Sequence, residues 1–245
     1  MKITSLDNSK IKYYKSLQKK KNRDLNNEFI VEGEHLVLEA YKHGFLKEIL
    51  LCEEELMPLD VPKIVVTYDV LKKISSVETP QKIMGVCRKM DDTTIGSRIL
   101  VLDEVQDPGN LGTIIRSAVA FDIDTIILGD GCVDLYNPKV IRSTQGMLFH
   151  IPIFSFPIDK LIPILKGLEV SIFATRVEYG VEVETLNEEE KARFALIVGN
   201  EGNGVNPLYL EKSDKNIYIP MNGQVESLNV AVATSIILYE MRRKG

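Results

Sequence analysis

Short apolar runs alternate with longer stretches of helical period through the carboxyl-terminal part of the chain. Strands are predicted at Ile99 to Leu102, Thr125 to Leu128, Ile151 to Ile153, Val170 to Ala174, Phe194 to Val198 and Ile217 to Ile219. Helices fit between and after them, at Leu111 to Phe121, Pro138 to Ser143, Asp159 to Leu168, Pro207 to Lys212 and Val230 to Arg243. Pro138 and Pro207 fall where a first-turn proline is tolerated. Such alternation predicts the α/β class, a mostly parallel sheet with helices on both faces.

Upstream, a smaller α/β unit is predicted. Its strands are Phe29 to Val31, Glu48 to Cys52, Lys63 to Val66 and Met84 to Arg88, and its helices are Gly33 to His43 and Asp69 to Ser75. Leu36, Ala40 and Tyr41 share a helical face, and Gly44 suits the position after a helix end. The polar stretch Asp91 to Ser97 then breaks the pattern. The expected organisation is a small domain over 1–90, a linker over 91–97 and a larger domain over 98–245.

The 245 residues, 44% of them hydrophobic, suffice for one large core or two smaller ones. No apolar run approaches the roughly 20 residues of a membrane span, and Met1-Lys2-Ile3-Thr4-Ser5 lacks a signal peptide's apolar core. The expected location is therefore cytoplasmic, without membrane contact, with Cys52, Cys87 and Cys132 reduced. The net charge of -5 argues weakly against a nucleic-acid partner. Its distribution argues the other way. Lys10, Lys12, Lys15, Lys19, Lys20, Lys21 and Arg23 cluster around Tyr13 and Tyr14, and this basic arm fits an RNA-binding segment and a solvated helical face equally well.

The chain has no Gly-x-Gly-x-x-Gly fingerprint after the first strand of either part and no P-loop lysine, which disfavours dinucleotide and nucleoside triphosphate chemistry. His35, His43 and His150 lie far apart in sequence, so neither a metal centre nor a nucleophilic triad is expected, and no metal is assigned. Three strand-loop-helix junctions instead carry Gly, Asn and charged residues: Asp107 to Arg116, Gly199 to Gly204, and Ile219 to Asn229. Loops at the carboxyl ends of parallel strands build one crevice. This one would hold amides, hydroxyls, Arg116 and Glu201, and no evident nucleophile, which points to group transfer from a bound cosubstrate.

At these junctions the chain resembles the SpoU/TrmH group of the SPOUT superfamily, S-adenosylmethionine-dependent RNA 2'-O-ribose methyltransferases. The matching motifs are Asp107-Pro108-x-Asn110-x-Gly112-x-x-x-Arg116, Val198-Gly199-Asn200-Glu201-Gly202 with Gly204, and Ile219-Pro220-Met221 leading to Ser227-Leu228-Asn229-Val230. Arg142-Ser143-x-x-Gly146-x-x-Phe149-x-x-Pro152 is similar to an intermediate motif, and residues 3–89 resemble the family's L30e-like substrate-binding domain. Ser117 and Asp122 depart from the frequent family residues without touching the chemistry.

The resemblance implies a deep carboxyl-terminal trefoil knot, which chain topology normally avoids. It also implies S-adenosyl-L-methionine bound by Thr175, Gly199, Asn200, Ile219, Met221, Ser227 and Leu228, and catalysis by Arg116, Asn110, Glu201, Ser227 and Asn229. A guanidinium with a pKa above about 12 is a poor base, so Arg116 is assigned to stabilising the developing alkoxide and clamping a phosphate. Asn110, Glu201 and Asn229 are assigned to orienting Arg116 and the ribose. A homodimer through the knotted domain is implied, with Val230, Ala231, Ala233, Ile236 and Ile237 serving core and interface. The implied substrate is 23S ribosomal RNA by analogy. Transfer RNA and a non-catalytic, ribosome-associated RNA-binding module are the alternatives, the latter opposed by the joint presence of Asn110, Arg116, Glu201 and Asn229.

Overall fold

The structure is a computed structural model that describes residues 2–242. In chain order its elements begin with β1 (Lys2–Ile3), α1 (Ser9–Ser16), α2 (Lys20–Asn26), β2 (Glu28–Glu32), α3 (Glu34–Lys42), β3 (Leu46–Cys52), β4 (Lys63–Val66), α4 (Tyr68–Ile74) and β5 (Ile83–Arg88). They continue with β6 (Arg98–Leu102), α5 (Pro108–Ala120), β7 (Thr125–Leu128), α6 (Pro138–Thr144), β8 (Ile153–Ser155), α7 (Ile158–Gly167), β9 (Ser171–Thr175) and β10 (Val181–Glu182). The last are α8 (Glu188–Ala192), β11 (Phe194–Val198), α9 (Pro207–Lys212), β12 (Lys215–Tyr218) and α10 (Val230–Glu240). The final helix was expected to reach Arg243, which lies outside the described residues.

Two compact units form, one from Met1–Met90 with Asp134–His150, the other from Asp91–Val133 with Ile151–Gly245. Asp134–His150 was expected in the second domain and packs in the first. The cause is aromatic: the Phe29 ring lies 4.7 Å from that of Tyr136 and 6.2 Å from that of Phe149. Phe29 is fully buried and the other two nearly so. The first unit's sheet runs β1-β4-β3-β5-β2. β5 is antiparallel to both of its neighbours.

The segment from Lys10 to Arg23 is a pair of short helices whose apolar side is part of this unit's core. Ile11, Tyr14 and Leu17, three residues apart, are buried against Ile64, Leu71 and Ile74, so the period is that of an amphipathic helix.

The second unit's sheet runs β10-β12-β9-β11-β6-β7-β8, and every pairing in it is parallel. Ile99, Val101, Ala195 and Ile197 pack on the face covered by α7, which buries Ile158, Leu161, Ile162 and Leu165 at helical spacing. The alternate positions Leu100 and Leu196 are also fully buried, as expected of a parallel sheet covered on both sides. β8 starts two residues later than predicted, because Pro152 has no N–H to give a strand ladder. No described helix is long and apolar enough to cross a membrane.

Candidate functional site

Parallel register brings the carboxyl ends of four strands together. Val198 of β11 pairs with Leu102 of β6, Ile197 with Ala174 of β9, and Thr175 with Ile217 of β12. The loops after β9, β11 and β12, with the start of α10, enclose a cavity of about 500 Å³. That is the size of a small-molecule site. Thr175, Gly199, Asn200, Glu201, Ile219, Met221, Ser227 and Leu228 all line it.

The loop after β11 is fixed by its own hydrogen bonds. Asn200 N–H donates to Gly204 O at 3.0 Å and Gly204 N–H returns to Asn200 O at 2.9 Å. The Asn200 side chain accepts from Gly202 N–H at 2.8 Å and Asn203 N–H at 3.1 Å, and donates to Glu104 O at 2.9 Å. Gly199 is required by this closure, since a Cβ there would stand 2.0 Å from Gly204 C and 2.1 Å from Val205 N.

Helix α5 begins earlier than predicted, and this changes where its motif sits. Asp107 caps it by accepting from Gly109 N–H at 2.7 Å and Asn110 N–H at 2.9 Å, with Pro108 at the first helical position. Asn110 therefore lies on the first helical turn, not in a loop. From there a directional relay runs: Asn229 Nδ2 donates to Asn110 Oδ1 at 3.0 Å, and Asn110 Nδ2 donates to Glu201 Oε1 at 3.0 Å. Glu201 also accepts from Asp107 N–H at 3.1 Å and Gln106 N–H at 3.3 Å. Burial pulls the Glu201 carboxyl upward, but the bonds from Asn110 and from the backbone outweigh it and hold it below the usual carboxylate range. Asn229 caps α10 as well, accepting from Ala231 N–H at 2.9 Å.

The relay does not reach Arg116. That residue is exposed on α5, six positions beyond Asn110, and makes no hydrogen bond or ion pair with Asn110, Glu201 or Asn229. The expectation that these three orient it is not realised here. Sequence reading also missed the loop from Arg176 to Tyr179, which lines the cavity with the Arg176 guanidinium 6.0 Å from the Tyr179 ring centre. Its signal was available, because it follows β9 at the same edge of the sheet.

The basic arm divides. Lys10, Lys19 and Lys21 are exposed, while Lys12 pairs with Asp7, Lys15 donates to Ser75 O and Lys20 pairs with Asp24. Arg23 is turned inward: it is 4% exposed and its guanidinium bonds to Leu17 O, Gln18 O and, at 2.6 Å, the Asp134 carboxylate. Tyr14 is buried with its hydroxyl donating to Glu48, so its ring is no stacking platform, while Tyr13 is half-buried against the core, with its ring 5.5 Å from that of Tyr14 and its hydroxyl donating to Glu28. The histidines also differ from expectation, since the rings of His43 and His150 lie 4.1 Å apart.

Known proteins place these features. Residues 97–239 match the SpoU rRNA methylase family, and residues 8–85 match an MRM3-like substrate binding domain. The chain is 44% identical, over 98% of both sequences, to the 23S rRNA (guanosine(2553)-2'-O)-methyltransferase RlmP of Bacillus subtilis. It is similar in structure to an AdoMet-bound rRNA methyltransferase from Sinorhizobium meliloti, with a TM-score of 0.87 and 29% identity over 98% of this chain and 97% of that one. The AdoMet complex of the SpoU methyltransferase AviRb from Streptomyces viridochromogenes matches with a TM-score of 0.84 and 25% identity over 96% and 97% of the two chains. A parallel sheet with its cavity and Asn-Asn-Glu relay at one edge, and a family match across most of that sheet, together lead to one assignment: the chain belongs to the SpoU rRNA methylase family.

Proposed function

We propose that this protein transfers a methyl group from S-adenosyl-L-methionine to a ribose 2'-hydroxyl of large-subunit ribosomal RNA. The observation that carries this reading is the cavity at the ends of β9, β11 and β12, with the Asn229-Asn110-Glu201 relay beside it. The fit is one of shape and of donors. A Cβ at Gly204 would meet nothing within 4 Å, so open space adjoins the main chain there, and the apolar side chains of Leu228, Ala233 and Ile237 can cover a nucleoside. The cosubstrate supplies an electrophilic methyl carbon, so the protein's task is positioning and electrostatics.

In this reading Thr175, Gly199, Asn200, Ile219, Met221, Ser227 and Leu228 hold the cosubstrate. Asn110 and Asn229 hold the ribose, with Glu201 keeping their amides turned one way. Arg116, unpaired with the relay, is free to meet a phosphate and the developing alkoxide when RNA arrives. The first unit binds the RNA, with Lys10, Lys19 and Lys21 as exposed contacts and Arg23 serving structure. Residues 1–90 together with 134–150 are the substrate unit, 91–97 the linker, and the rest of 98–245 the methyltransferase unit.

The trefoil knot and the homodimer belong to the same proposal. The match of residues 97–239 to the SpoU rRNA methylase family supports the knot. Val232, Ile236 and Tyr239 on α10 are 48%, 37% and 48% exposed, an apolar face suited to a second copy. The working compartment is the cytoplasm, a reading supported by the likeness to the Bacillus subtilis rRNA methyltransferase. The deciding experiment is transfer of labelled methyl from S-adenosylmethionine into unmodified 23S ribosomal RNA, followed by nuclease digestion and mass analysis. A single 2'-O-methylated nucleotide is expected; label on a base, or only on transfer RNA, overturns the reading.

A further inference from the structure

In the first unit, Glu39, His43 and His150 bring one carboxylate oxygen and two imidazole nitrogens within 4.8 Å of one another. None of the three lines the cavity of the second unit or takes part in the relay there. Glu39 and His43 are four residues apart, the first in α3 and the second directly after its end, so helix geometry sets them on one face. His150 comes from far along the chain, at the end of the 3-10 turn Met147–His150.

The hydrogen bonds fix the tautomer of one imidazole and hold the carboxylate beside the other. His43 Nδ1 stands 3.1 Å from the Glu39 backbone oxygen. A carbonyl only accepts, so Nδ1 carries the proton and Nε2 keeps its lone pair. This is the arrangement by which proteins fix the tautomer of a metal-binding imidazole. His150 Nε2–H donates to Glu39 Oε2 at 2.7 Å, a proton that an incoming cation would displace, while Oε1 is occupied by Lys42 at 2.8 Å. The Glu39 side chain is held in a close cradle, because a Cβ at Gly146 would come 2.7 Å from its Cγ, and Gly146 has φ +86. Bulk is therefore excluded where the carboxylate must stay.

We propose that Glu39, His43 and His150 form a binding site for a divalent cation of the zinc class, held by His43 Nε2, His150 Nε2 and Glu39 Oε2, with water completing the tetrahedron. Two imidazoles and one carboxylate suit zinc in preference to magnesium or calcium, which favour oxygen. Bonds of about 2.1 Å put tetrahedral ligand atoms about 3.3 Å apart, so the His150–Glu39 pair would open from 2.7 Å and the others, all within 4.8 Å, would close by no more than about 1.5 Å of side-chain rotation. The bound ion would staple the segment from Asp134 to His150 onto α3. This inference does not depend on the methyl-transfer reading.

Zinc titrated calorimetrically into the full chain at pH 7.5 tests the site, with cobalt(II) absorption in the visible as a report on tetrahedral coordination. One zinc per chain is expected. His43→Ala and His150→Ala should each weaken binding at least about 100-fold, since even an outer partner of a ligand is worth roughly 10- to 100-fold. His35→Ala should leave it unchanged. At zinc 100-fold above Kd, the wild-type Tm should rise by roughly 5 °C or more, and those of the two ligand variants should not. If an alanine variant misfolds by circular dichroism, the wild-type cobalt spectrum still decides: no tetrahedral band with bound cobalt overturns the site. Zinc binding equally tight in both histidine variants overturns it too.

Discussion

Asn229 performs two tasks that one atom exchange separates. Its Oδ1 caps α10, accepting from Ala231 N–H and Val232 N–H at 2.9 and 3.3 Å, while its Nδ2 starts the relay to Glu201 through Asn110. Asn229→Asp keeps the capping oxygen, and Asp and Asn are equal as caps, so folding stability should stay within about 1 kcal/mol of wild type. The relay then has a carboxylate at each end and a single amide between. Whichever way Asn110 turns, one of its ends places oxygen against oxygen. Losing a hydrogen bond to a charged group costs about 1.5–3 kcal/mol, or roughly 10- to 150-fold in kcat/KM. The lower half of that range is expected, because Glu201 and Asn229 are both exposed. Asn229→Ala should do the reverse: it loses about 1 kcal/mol of cap but only a neutral bond of about 0.5–1.5 kcal/mol in the relay. The two variants should therefore cross, the aspartate more stable in urea and less active in methyl transfer. If the aspartate variant is as active as wild type while the alanine variant is not, the cap matters and the relay does not.

Gly199→Ala drives a Cβ into backbone at 2.0 Å, so S-adenosylmethionine affinity by calorimetry should fall about 5- to 150-fold, at about 1–3 kcal/mol for such overpacking. Arg116→Ala should keep that affinity and lose about 10²- to 10³-fold in single-turnover rate, the usual cost of removing one charge-stabilising donor; near-normal turnover would sink its assigned role. Lys10, Lys19 and Lys21 to Ala should each lower the salt slope of RNA binding by about 1 without changing Tm, whereas Arg23→Ala, which removes a charged hydrogen bond from the half-buried Asp134 carboxylate, should cost about 1.5–3 kcal/mol of stability in urea. Because the Glu201 carboxyl is held below its ordinary 4.5, its contribution to stability is complete above that pH and is lost as pH falls through the lower folded value. Glu201→Gln should accordingly flatten the acid limb of Tm against pH below 4.5.

The parallel sheet was legible because runs such as Phe194 to Val198 are apolar at consecutive positions, which only a strand covered on both faces tolerates. The cavity residues were legible because Gly and Asn at strand ends mark loops that approach something closely, though Gly199 was placed by resemblance and only its contact with Gly204 explains it. Other features needed three dimensions. The seven cations between Lys10 and Arg23 masked the three-residue spacing of Ile11, Tyr14 and Leu17, and nothing local tells that Arg23 meets Asp134. The start of α5 was misplaced because Asp107-Pro108-Gly109 has turn composition, yet an Asp cap followed by proline is equally a helix start. Likewise His43 and His150 are far apart in sequence and meet only because the aromatic cluster of Phe29, Tyr136 and Phe149 draws the later segment in.

That capture of Asp134–His150 by the first unit has a consequence for the order of events at the ribosome. The amino-terminal unit is finished only by residues made after β6, α5 and β7 of the other unit, so it cannot complete its core as it emerges. At a synthesis rate of about 5–20 residues per second, the Phe29 ring and the inner side of Arg23 wait about 5 to 25 s for their partners. A nascent chain stopped near Met90 should therefore expose an aromatic patch and an unpaired guanidinium, making this protein a client for holding chaperones in a window that refolding of the full chain never samples.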